Sequence, residues 1–435
     1  MKSITIFWFR RDLRLHDNHG LYKALEGGYK VLPIFIFDKN ILSDLEDKKD
    51  ARVSFIHQSL EDIHQELRKK NTALLTFYGK PVDVFTKLMN DYDVKNVYTN
   101  RDYEPYALDR DEQVKSLCSQ NGVDFQAFKD HVIFEKDQVV KGDGTPYLVY
   151  TPFSKKWLNQ FSPKFVEPYP SSDAYNNWVE MDEGNIISLK EMGFERSDIP
   201  IPEPRISEQL IRNYEVQRDI PGIEGTSKVG IHLRFGTISI RELLCKTFEY
   251  SLVYFKELIW REFFITILSH YPKVVTQNFN ARYDGIKWRN SKEDFEKWCT
   301  GQTGYPIVDA GMRELNTTGF MHNRVRMVTA SFLTKHLLID WRWGEAYFAK
   351  KLLDFELASN NGNWQWAAGT GVDASPYFRV FNPTSQHKKF DPKSIYVNKW
   401  VLDLNELTYP RPIVEHKTAR ERAISTYKEG LNNSN

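Results

Sequence analysis

Short apolar runs and amphipathic stretches alternate along the first 130 residues. The runs are almost wholly apolar, which is typical of parallel strands buried on both faces of a sheet. They occupy residues 3–9, 31–37, 73–78 and 94–99. Between them, residues 52–69 repeat apolar side chains at steps of three and four, which predicts an amphipathic helix. Pro81 and Pro105 each suit the first turn of a further helix. Residues 1–130 are therefore predicted to form a doubly wound α/β domain with a parallel sheet.

The pattern changes twice further along the chain. Over residues 131–200 it is broken by turn residues such as Gly, Pro, Ser and Asp, which predicts a long connector between domains. Beyond it, apolar side chains recur with helical periodicity over residues 206–219, 238–250, 253–270, 307–315, 322–338 and 344–356. Residues 201–435 are therefore predicted to form an all-α domain.

Composition argues for a soluble cytoplasmic protein. No apolar run approaches the length needed to cross a bilayer. The apolar residues 4–9 are too few for a signal peptide and are followed by charged residues. The three cysteines, Cys118, Cys245 and Cys299, are scattered, so they predict neither a disulfide framework nor a metal site.

Charge is unevenly distributed although the net charge is only +1. Residues 1–200 carry −5 and residues 201–435 carry +6, and all of that excess lies within 251–400. A solvated, mildly basic face and a phosphate-binding surface both explain this excess.

The common catalytic signatures are absent from the sequence. It contains no G-x-G-x-x-G, Walker, G-x-S-x-G or H-E-x-x-H motif, and its histidines do not cluster at metal-ligand spacings. This excludes the usual dinucleotide, nucleotide-triphosphate and zinc-hydrolase sites, and no metal is expected.

Two helical segments carry residues suited to a polar pocket. Glu257, Trp260 and Arg261 stand at i, i+3 and i+4, so they share one helix face. They suit a cavity that stacks a planar ring and bonds its edge, although a surface ion pair beside a half-buried indole is the alternative. Asn323 and Met327 share another face together with Arg326, while Arg324 points elsewhere.

A third segment, residues 354–366, has two acids followed by Asn-Asn-Gly-Asn and two tryptophans. The Asn-Asn-Gly-Asn sequence is typical of a turn. Turn chemistry does not explain the flanking acids and indoles, so a functional role is predicted for them.

Several longer motifs make the chain resemble the photolyase/cryptochrome family. They are WFRRDLRLHDN at 8–18, EGTS at 224–227, TGYPIVDA at 303–310, NNGNWQWAA at 360–368 and PYFR at 376–379. The resemblance extends from residue 4 to about residue 425 and is strongest to class I cyclobutane-dimer photolyases. It implies an α/β domain, a connector and a helical FAD-binding domain, and light-driven repair of pyrimidine dimers in UV-damaged DNA by electron transfer.

The resemblance also implies which residues bind FAD. The matching positions are Tyr214, Thr226, Ser227, Lys228, Val229, Gly230, Arg261, Asn323, Arg326, Asp354, Phe355, Glu356 and Asn360. Arg326 and Asp354 are expected to form a buried pair, and Asn360 to face flavin N5, where an amide stabilises a reduced ring. Many relatives have Asp where this chain has Glu356, and Ser or a similar residue where it has Gly230.

Substrate and electron-transfer residues follow from the same resemblance. The flipped dimer is expected to meet Glu257, Trp260, Asn323, Met327 and Trp366, with Glu257 and Asn360 as the catalytic pair. The DNA backbone is expected to meet Arg218, Arg324, Arg379 and Gln386. Electrons are expected to pass from the surface to the flavin through Trp288, Trp341 and Trp364. The protein is expected to act as a monomer.

Three other functions are compatible with parts of the sequence. A cryptochrome-type light sensor is the nearest, but sensors commonly add a long C-terminal extension and often replace Asn360. A photolyase for the pyrimidine–pyrimidone photoproduct would have His at the position of Asn323. A non-catalytic nucleotide-binding protein would explain residues 1–130 only. The antenna chromophore is open: Glu104 resembles an acid that contacts methenyltetrahydrofolate, and a deazaflavin or no antenna is equally compatible.

Overall fold

A computed structural model describes residues 3–172 and 176–432. The chain forms two units, each made of three segments. The first comprises Met1–Glu135, Gln160–Pro204 and Val229–Phe248, and the second comprises Lys136–Asn159, Arg205–Lys228 and Glu249–Asn435. The units thus differ from the contiguous predicted ranges 1–130, 131–200 and 201–435. Residues 173–175 of the predicted connector lie outside the described residues.

A five-stranded parallel sheet forms the centre of the first unit. Its strands are β1 (Ser3–Phe9), β2 (Lys30–Asp38), β3 (Leu75–Gly79), β4 (Asp93–Asn100) and β5 (Asp124–Phe128), in the order β3-β2-β1-β4-β5. The order confirms the predicted doubly wound fold, in which the chain leaves β1 in both directions. The sequence pattern missed β5 because this edge strand is exposed or half-exposed and has no continuous apolar run.

Helices account for most of the remaining ordered chain. In chain order they are α1 (His19–Glu26), α2 (Lys39–Leu42), α3 (Ala51–Arg68), α4 (Pro81–Asp91), α5 (Pro105–Gln120), α6 (Tyr150–Gln160), α7 (Glu208–Gln217), α8 (Gly230–Phe235), α9 (Ile240–Phe248), α10 (Leu252–His270), α11 (Lys292–Cys299), α12 (Pro306–Thr318), α13 (Asn323–Ser331), α14 (Trp341–Lys351), α15 (Leu357–Ala368), α16 (Pro383–Phe390), α17 (Ile395–Trp400) and α18 (His416–Asn432). Short 3₁₀ turns occupy Pro163–Val166, Lys190–Met192, Pro272–Val275 and Ala281–Tyr283, and a π-helical turn, Phe332–His336, follows α13. The helix α6 lies within the predicted connector, where none was expected.

Alternating side chains of β1 pack on the two faces of the sheet. Phe7 and Phe9 belong to the core formed with α1 and α3, whereas Ile6 and Trp8 belong to the core formed with α4 and α5. Both faces are therefore covered by helices, as the apolar runs predicted.

The second unit is helical and encloses a core rich in aromatic side chains. Trp298, Trp341 and Trp364 are almost completely buried in this core, which is built largely from α12 to α15. Within residues 3–172 and 176–432, no helix is both long enough and apolar enough to span a membrane.

The predicted Asn-Asn-Gly-Asn turn is wrong, because these residues lie inside α15. Tertiary contacts replace the local turn chemistry. Asn361 Nδ2 donates a hydrogen bond to the carbonyl oxygen of Val274, 2.9 Å away. A Cβ atom at Gly362 would lie 2.2 Å from Cδ1 of Phe264, so glycine is what permits α15 to pack against α10.

Candidate functional site

Two adjoining cavities in the second unit collect most of the predicted site residues. Cavity A, of about 600 Å³, lies between α13, α14 and α15 and is lined by Asn323, Arg326, Met327, Ala330, Phe348, Leu352, Asp354, Phe355, Glu356, Ser359, Asn360, Asn363, Trp364, Trp366 and Ala367. Six of the residues predicted to bind the cofactor, namely Asn323, Arg326, Asp354, Phe355, Glu356 and Asn360, are therefore brought together.

An ion pair closes one side of cavity A. Arg326 Nη2 lies 2.9 Å from Asp354 Oδ2, and Arg326 Nε donates to the carbonyl oxygen of Met321 at 2.7 Å. The expected pair forms, although both side chains remain partly exposed rather than buried. Asp354 Oδ1 is buried and has no hydrogen-bond partner among the described residues. An unpaired buried acceptor is costly, so this oxygen suits a ligand that donates an N–H group.

Asn360 is held by an acid that the sequence did not single out. Its Nδ2 donates to Oε1 of Glu345 at 2.9 Å and to the Glu345 carbonyl oxygen at 3.1 Å. Burial raises the pKa of Glu345, which favours its neutral form. Glu345 lies on α14, fifteen residues from Asn360, and no sequence spacing links them.

Cavity B, of about 810 Å³, shares Asn323, Met327, Ser359, Asn363 and Trp366 with cavity A. Its lining is completed by Arg218, Glu257, Trp260, Arg261 and Phe264. All five residues predicted to meet the dimer line this cavity. The predicted cofactor and substrate positions therefore border two adjoining cavities that share five lining residues.

Glu257 is paired across cavity B. Its carboxylate accepts a hydrogen bond from Arg218 Nη1, so Arg218, predicted as a DNA contact, is also a partner of the predicted catalytic acid. Burial raises the pKa of Glu257, and the Arg218 guanidinium opposes this rise.

One face of the Trp260 indole is already covered. Tyr150 of α6 stacks on it with ring centroids 3.6 Å apart and planes 7° from parallel. Tyr150 lies in the predicted connector and was not among the predicted site residues. Trp260 can therefore offer only its other face to a ligand in cavity B.

The departure at Glu356 has a structural explanation. Its Oε1 lies 2.9 Å from Nη2 of Arg261, and both side chains are largely buried. The carboxylate thus pairs with another residue that the resemblance assigns to the cofactor. The negative charge of the Asp found in many relatives is therefore retained at position 356.

The predicted phosphate-binding stretch is tied to Tyr214 through Tyr254. The Tyr254 hydroxyl donates to Ser227 Oγ at 2.7 Å, and the Tyr254 ring meets that of Tyr214 with centroids 4.8 Å apart. Thr226 is half-buried beside Ser227. Tyr254 of α10 therefore connects Tyr214 of α7 to the predicted phosphate-binding stretch.

Lys228 has a left-handed backbone, with φ of 55°, and its Nζ lies 5.5 Å from the ring centroid of Phe320. Arg326 lies 5.7 Å from the same ring, so Phe320 connects the phosphate-binding stretch to cavity A. Val229 and Gly230 fall in the first unit, at the start of α8, and their role stays a prediction.

The remaining predicted DNA contacts lie outside both cavities. Arg324 Nη2 is 2.7 Å from Asp219 Oδ1, and its guanidinium lies 4.3 Å from the centroid of the Phe390 ring. Arg379 is exposed, and Gln386 is half-buried on α16. Asp219 is a partner that the sequence did not predict.

The three predicted electron-transfer tryptophans range from buried to half-exposed. Trp364 forms part of the wall of cavity A and is 2% exposed. Trp341 is fully buried and donates from Nε1 to Asn278 Oδ1 at 2.8 Å. Trp288 is half-buried and packs against the same core.

A third cavity lies in the first unit. Cavity C, of about 810 Å³, is lined by Trp8, Arg10, Arg11, Phe35, Ile36, Phe37, Asp38, Ile41, Leu42, Ile56, Asp102, Glu104, Tyr106, Ala107, Arg110, Arg234 and Phe235. Glu104 lies here, with Oε1 2.6 Å from Arg234 Nη1 and 3.1 Å from Arg11 Nη1. Trp8 Nε1 and Arg10 Nε are buried without a partner among the described residues. These two N–H groups are donors suited to a bound ligand.

Over residues 3–172 and 176–432, no group of three or more His, Cys, Asp and Glu side chains is arranged to hold a metal ion.

Comparison with known proteins gives matches along the whole chain. The family model described as DNA photolyase matches residues 5–172, and that described as FAD binding domain of DNA photolyase matches residues 254–408. The deoxyribodipyrimidine photo-lyase of Halobacterium salinarum is 36% identical, and the match covers 98% of this chain and 99% of that protein.

Two solved structures share the fold. A bacterial class III photolyase from Agrobacterium tumefaciens has a TM-score of 0.87 and 33% identity, covering 99% of this chain and 98% of that one. An archaeal photolyase from Sulfolobus tokodaii, described with two FAD molecules, has a TM-score of 0.85 and 35% identity, covering 98% and 99%. The chain therefore belongs to the photolyase/cryptochrome family and carries its FAD-binding domain.

Proposed function

We propose that this protein is a light-driven, FAD-dependent enzyme that splits cyclobutane pyrimidine dimers in DNA. The observation that carries the proposal is that cavities A and B adjoin and share lining residues. Asn323, Met327 and Trp366 line both, so a flavin in one and a dimer in the other would be in contact range of the same side chains. Electron transfer between cofactor and substrate needs this proximity.

The residues of cavity A fit FAD. The unpaired Asp354 Oδ1 and the amide of Asn360 suit the polar edge of a flavin ring. Ser227 and Lys228 suit the phosphates. When bound and reduced, FAD supplies the light-excited electron, while the protein contributes placement and electrostatics.

The residues of cavity B suit a reaction that moves an electron and no proton. Trp260 and Trp366 offer ring faces to the flipped bases, and Glu257 addresses their polar edges. Asn323 and Met327 carry an amide and a thioether, and neither group can transfer a proton to the substrate. This set therefore favours cyclobutane-dimer repair.

His322 is relevant to the alternative function, repair of the pyrimidine–pyrimidone photoproduct. It precedes Asn323, but its Nδ1 accepts a hydrogen bond from the Arg324 backbone N–H at 3.2 Å and caps α13. Burial lowers the pKa of His322 to about 4, so the ring is neutral at physiological pH. A neutral helix cap is a poor proton donor, which argues against that reaction.

We further propose that the DNA backbone is contacted by Arg379 and Gln386. Arg324 would also contact it, by exchanging its Asp219 partner for a phosphate. Such contacts position a strand without reading its sequence. Trp288, Trp341 and Trp364 would carry electrons inward to restore the reduced cofactor. We expect the protein to be a monomer, which light scattering on the purified protein tests. We also expect it to act in the cytoplasm.

Cavity C supports an antenna role. Trp8 Nε1 and Arg10 Nε would donate to the carbonyl edge of a planar chromophore. The Glu104 carboxylate is already bonded to Arg11 and Arg234, which favours a deazaflavin or flavin ring over a folate that binds through this acid. Mass spectrometry of chromophores released by denaturation tests this assignment, and methenyltetrahydrofolate as the second chromophore would contradict it.

Glu257→Ala tests the active site itself. We expect dimer splitting per absorbed photon to fall more than dimer affinity, because Glu257 faces the substrate and stabilises the added electron. Glu257→Gln keeps hydrogen bonding without charge and should retain more yield than Ala. Melting temperature is the control for folding, since Arg218 loses its partner in the Ala variant. A Glu257→Ala protein with parental melting, affinity and yield would remove Glu257 from the active site.

A further inference from the structure

Tyr150 is a buried residue with no role in the reaction described so far. Its hydroxyl donates to the carbonyl oxygen of Lys256 at 2.8 Å, and its backbone N–H donates to Asp373 Oδ2 at 3.0 Å. Its ring lies face to face with the Trp260 indole, with centroids 3.6 Å apart, and edge to face with Phe263, with centroids 5.9 Å apart. A tyrosine held at its backbone and at its hydroxyl presents a fixed ring plane to the indole.

The hydroxyl contact ties the Tyr150 ring to the helix that carries Trp260. Lys256 stands one turn before Trp260 on α10, so the phenol is bonded to the same helix as the indole on which it stacks. Burial and the nearby Glu257 carboxylate raise the pKa of Tyr150, so its hydroxyl stays protonated and remains a donor at physiological pH. Tyr150 therefore cannot turn away from the indole without losing a hydrogen bond.

The backbone contact of Tyr150 leads to the second indole of cavity B. Asp373 lies in the segment that follows α15, and Ser375 of the same segment donates its backbone N–H to the Trp366 carbonyl oxygen at 3.3 Å. The helix α6 begins at Tyr150, and a carboxylate at the start of a helix is favourable because of the helix dipole. Tyr150 therefore connects the helix that carries Trp260 with the segment attached to Trp366.

The two indoles line cavity B, whereas Tyr150 does not. Tyr150 covers one face of the Trp260 ring, so it acts on a ligand in the cavity only through that ring. A flipped dimer stacks on an indole face, so its affinity depends on how the Trp260 and Trp366 rings are held. Undamaged DNA is bound through its phosphates, and that contribution does not depend on either ring.

We propose that Tyr150 is a positioning residue that sets the Trp260 ring plane and thereby the selectivity of cavity B for dimers over undamaged bases. It holds the free face of Trp260 in place before the substrate arrives, so binding does not have to order the indole. Tyr150 lines neither cavity A nor cavity B, so the splitting of a dimer that is already bound does not depend on it. The inference rests on the proposed function, because the selectivity concerns a dimer in cavity B.

Binding and repair measurements on two variants test the selectivity. Tyr150→Leu removes the stacked ring, and its affinity for dimer-containing DNA should fall about tenfold, within the range for loss of one base–aromatic stack. Its affinity for undamaged DNA and its dimer splitting per absorbed photon at saturating DNA should stay parental. Tyr150→Phe keeps the ring and should restore most of the dimer affinity. Tyr271→Leu is the matched control, because Tyr271 follows α10, meets Phe279 with centroids 5.3 Å apart and lines neither cavity.

Fluorine NMR of protein labelled with 6-fluorotryptophan examines the indole itself, without DNA. The Trp260 resonance is assigned by its absence from Trp260→Phe. It should move in Tyr150→Leu, because a ring stacked at 3.6 Å shields the indole, and it should stay near the parental position in Tyr150→Phe. A purely structural role predicts a different result, in which melting temperature, dimer affinity and splitting yield all fall together.

Parental selectivity in Tyr150→Leu, a parental Trp260 resonance in that variant, or a loss of splitting yield equal to the loss of affinity overturns the proposal. The same loss of selectivity in Tyr271→Leu overturns it as well. If Tyr150→Leu does not fold, Tyr150→Met, which fills the space with a flexible side chain and no ring, is measured in its place. Failure of the parent to prefer dimer-containing DNA would contradict the proposed function, and the fluorine resonance would still decide whether Tyr150 positions Trp260.

Discussion

Gly344→Ala isolates the packing that fixes Trp364. Gly344 lies in α14 and its backbone faces the Trp364 indole of α15. A Cβ atom at Gly344 would lie 2.1 Å from Trp364 Cη2, 2.5 Å from Trp364 Cζ3 and 2.5 Å from Leu333 Cδ2. Contacts this short require the indole or the helix to move. Trp364 is confined by Trp298 and Phe348, with ring centroids 6.1 Å and 4.9 Å away.

Two opposing effects decide the sign of the stability change. Alanine in place of glycine in a helix interior stabilises by about 1 kcal/mol. Overpacking a well-packed core costs about 1–3 kcal/mol. Because the clash is with a ring that is 2% exposed and surrounded by other rings, we expect an overpacking cost in the upper part of this range, about 2–3 kcal/mol. The net loss in the free energy of unfolding is then about 1–2 kcal/mol.

Urea denaturation measures this loss, and Trp364→Phe provides the matched background. Phenylalanine lacks the two benzo-ring atoms that a Gly344 Cβ would strike, so most of the penalty should disappear there. The double-mutant cycle should show a coupling of about 1 kcal/mol or more. The displaced indole should also slow photoreduction of the bound flavin in Gly344→Ala. A Gly344→Ala protein more stable than the parent, or an additive cycle, would refute this packing.

Further predictions concern electron supply, DNA and pH. Trp364→Phe should severely slow light-driven flavin reduction but spare repair by dithionite-reduced protein; a proportional loss of both would contradict the chain. Arg324→Ala and Arg379→Ala should each weaken DNA binding for all sequences and reduce the log–log salt slope by about 0.7–0.9; an unchanged slope would place them off the backbone. Burial lowers the pKa of His336 to about 3, so the unfolded imidazole protonates first and stability falls as pH drops below about 6.5. Urea denaturation at each pH measures the free energy of unfolding. Between pH 6.5 and 4.5 this free energy should fall by about 2 kcal/mol less in His336→Gln than in the parent, and an equal fall in both proteins would contradict this.

The elements that could be predicted are those whose burial leaves a regular apolar pattern in the sequence. The buried strands and the amphipathic helix α3 follow from apolar periodicity, and α4 and α5 follow from the prolines with which they begin. The exposed edge strand β5 was missed because it carries no continuous apolar run. The helix α6 was missed because it lies in a stretch rich in turn residues, although Tyr150, Phe153 and Trp157 recur at helical spacing. The sequence also did not predict the interleaving of segments between the two units, because that depends on long-range contacts.

Many residues of the candidate site could be predicted, but most of their contacts could not. The resemblance implied thirteen of the residues that line cavities A and B, together with the Arg326–Asp354 pair. They did not identify Glu345 beside Asn360 or Tyr150 stacked on Trp260. These partners lie on other elements, and only the packing of helices brings them into contact. The helix at Asn-Asn-Gly-Asn shows the same limit, because its contacts with Phe264 and Val274 are to other elements of the fold.

Light dependence of dimer repair tests the central claim most directly. Purified protein, with its flavin chemically reduced, is mixed with DNA containing cyclobutane pyrimidine dimers, and half of the sample is illuminated with near-UV or blue light. Remaining dimers are counted in both halves, and the chromophore released by denaturation is identified by mass. We predict that dimers disappear only in the illuminated half and that FAD is released. Equal repair in darkness, no repair in either half, or no released flavin would contradict the account.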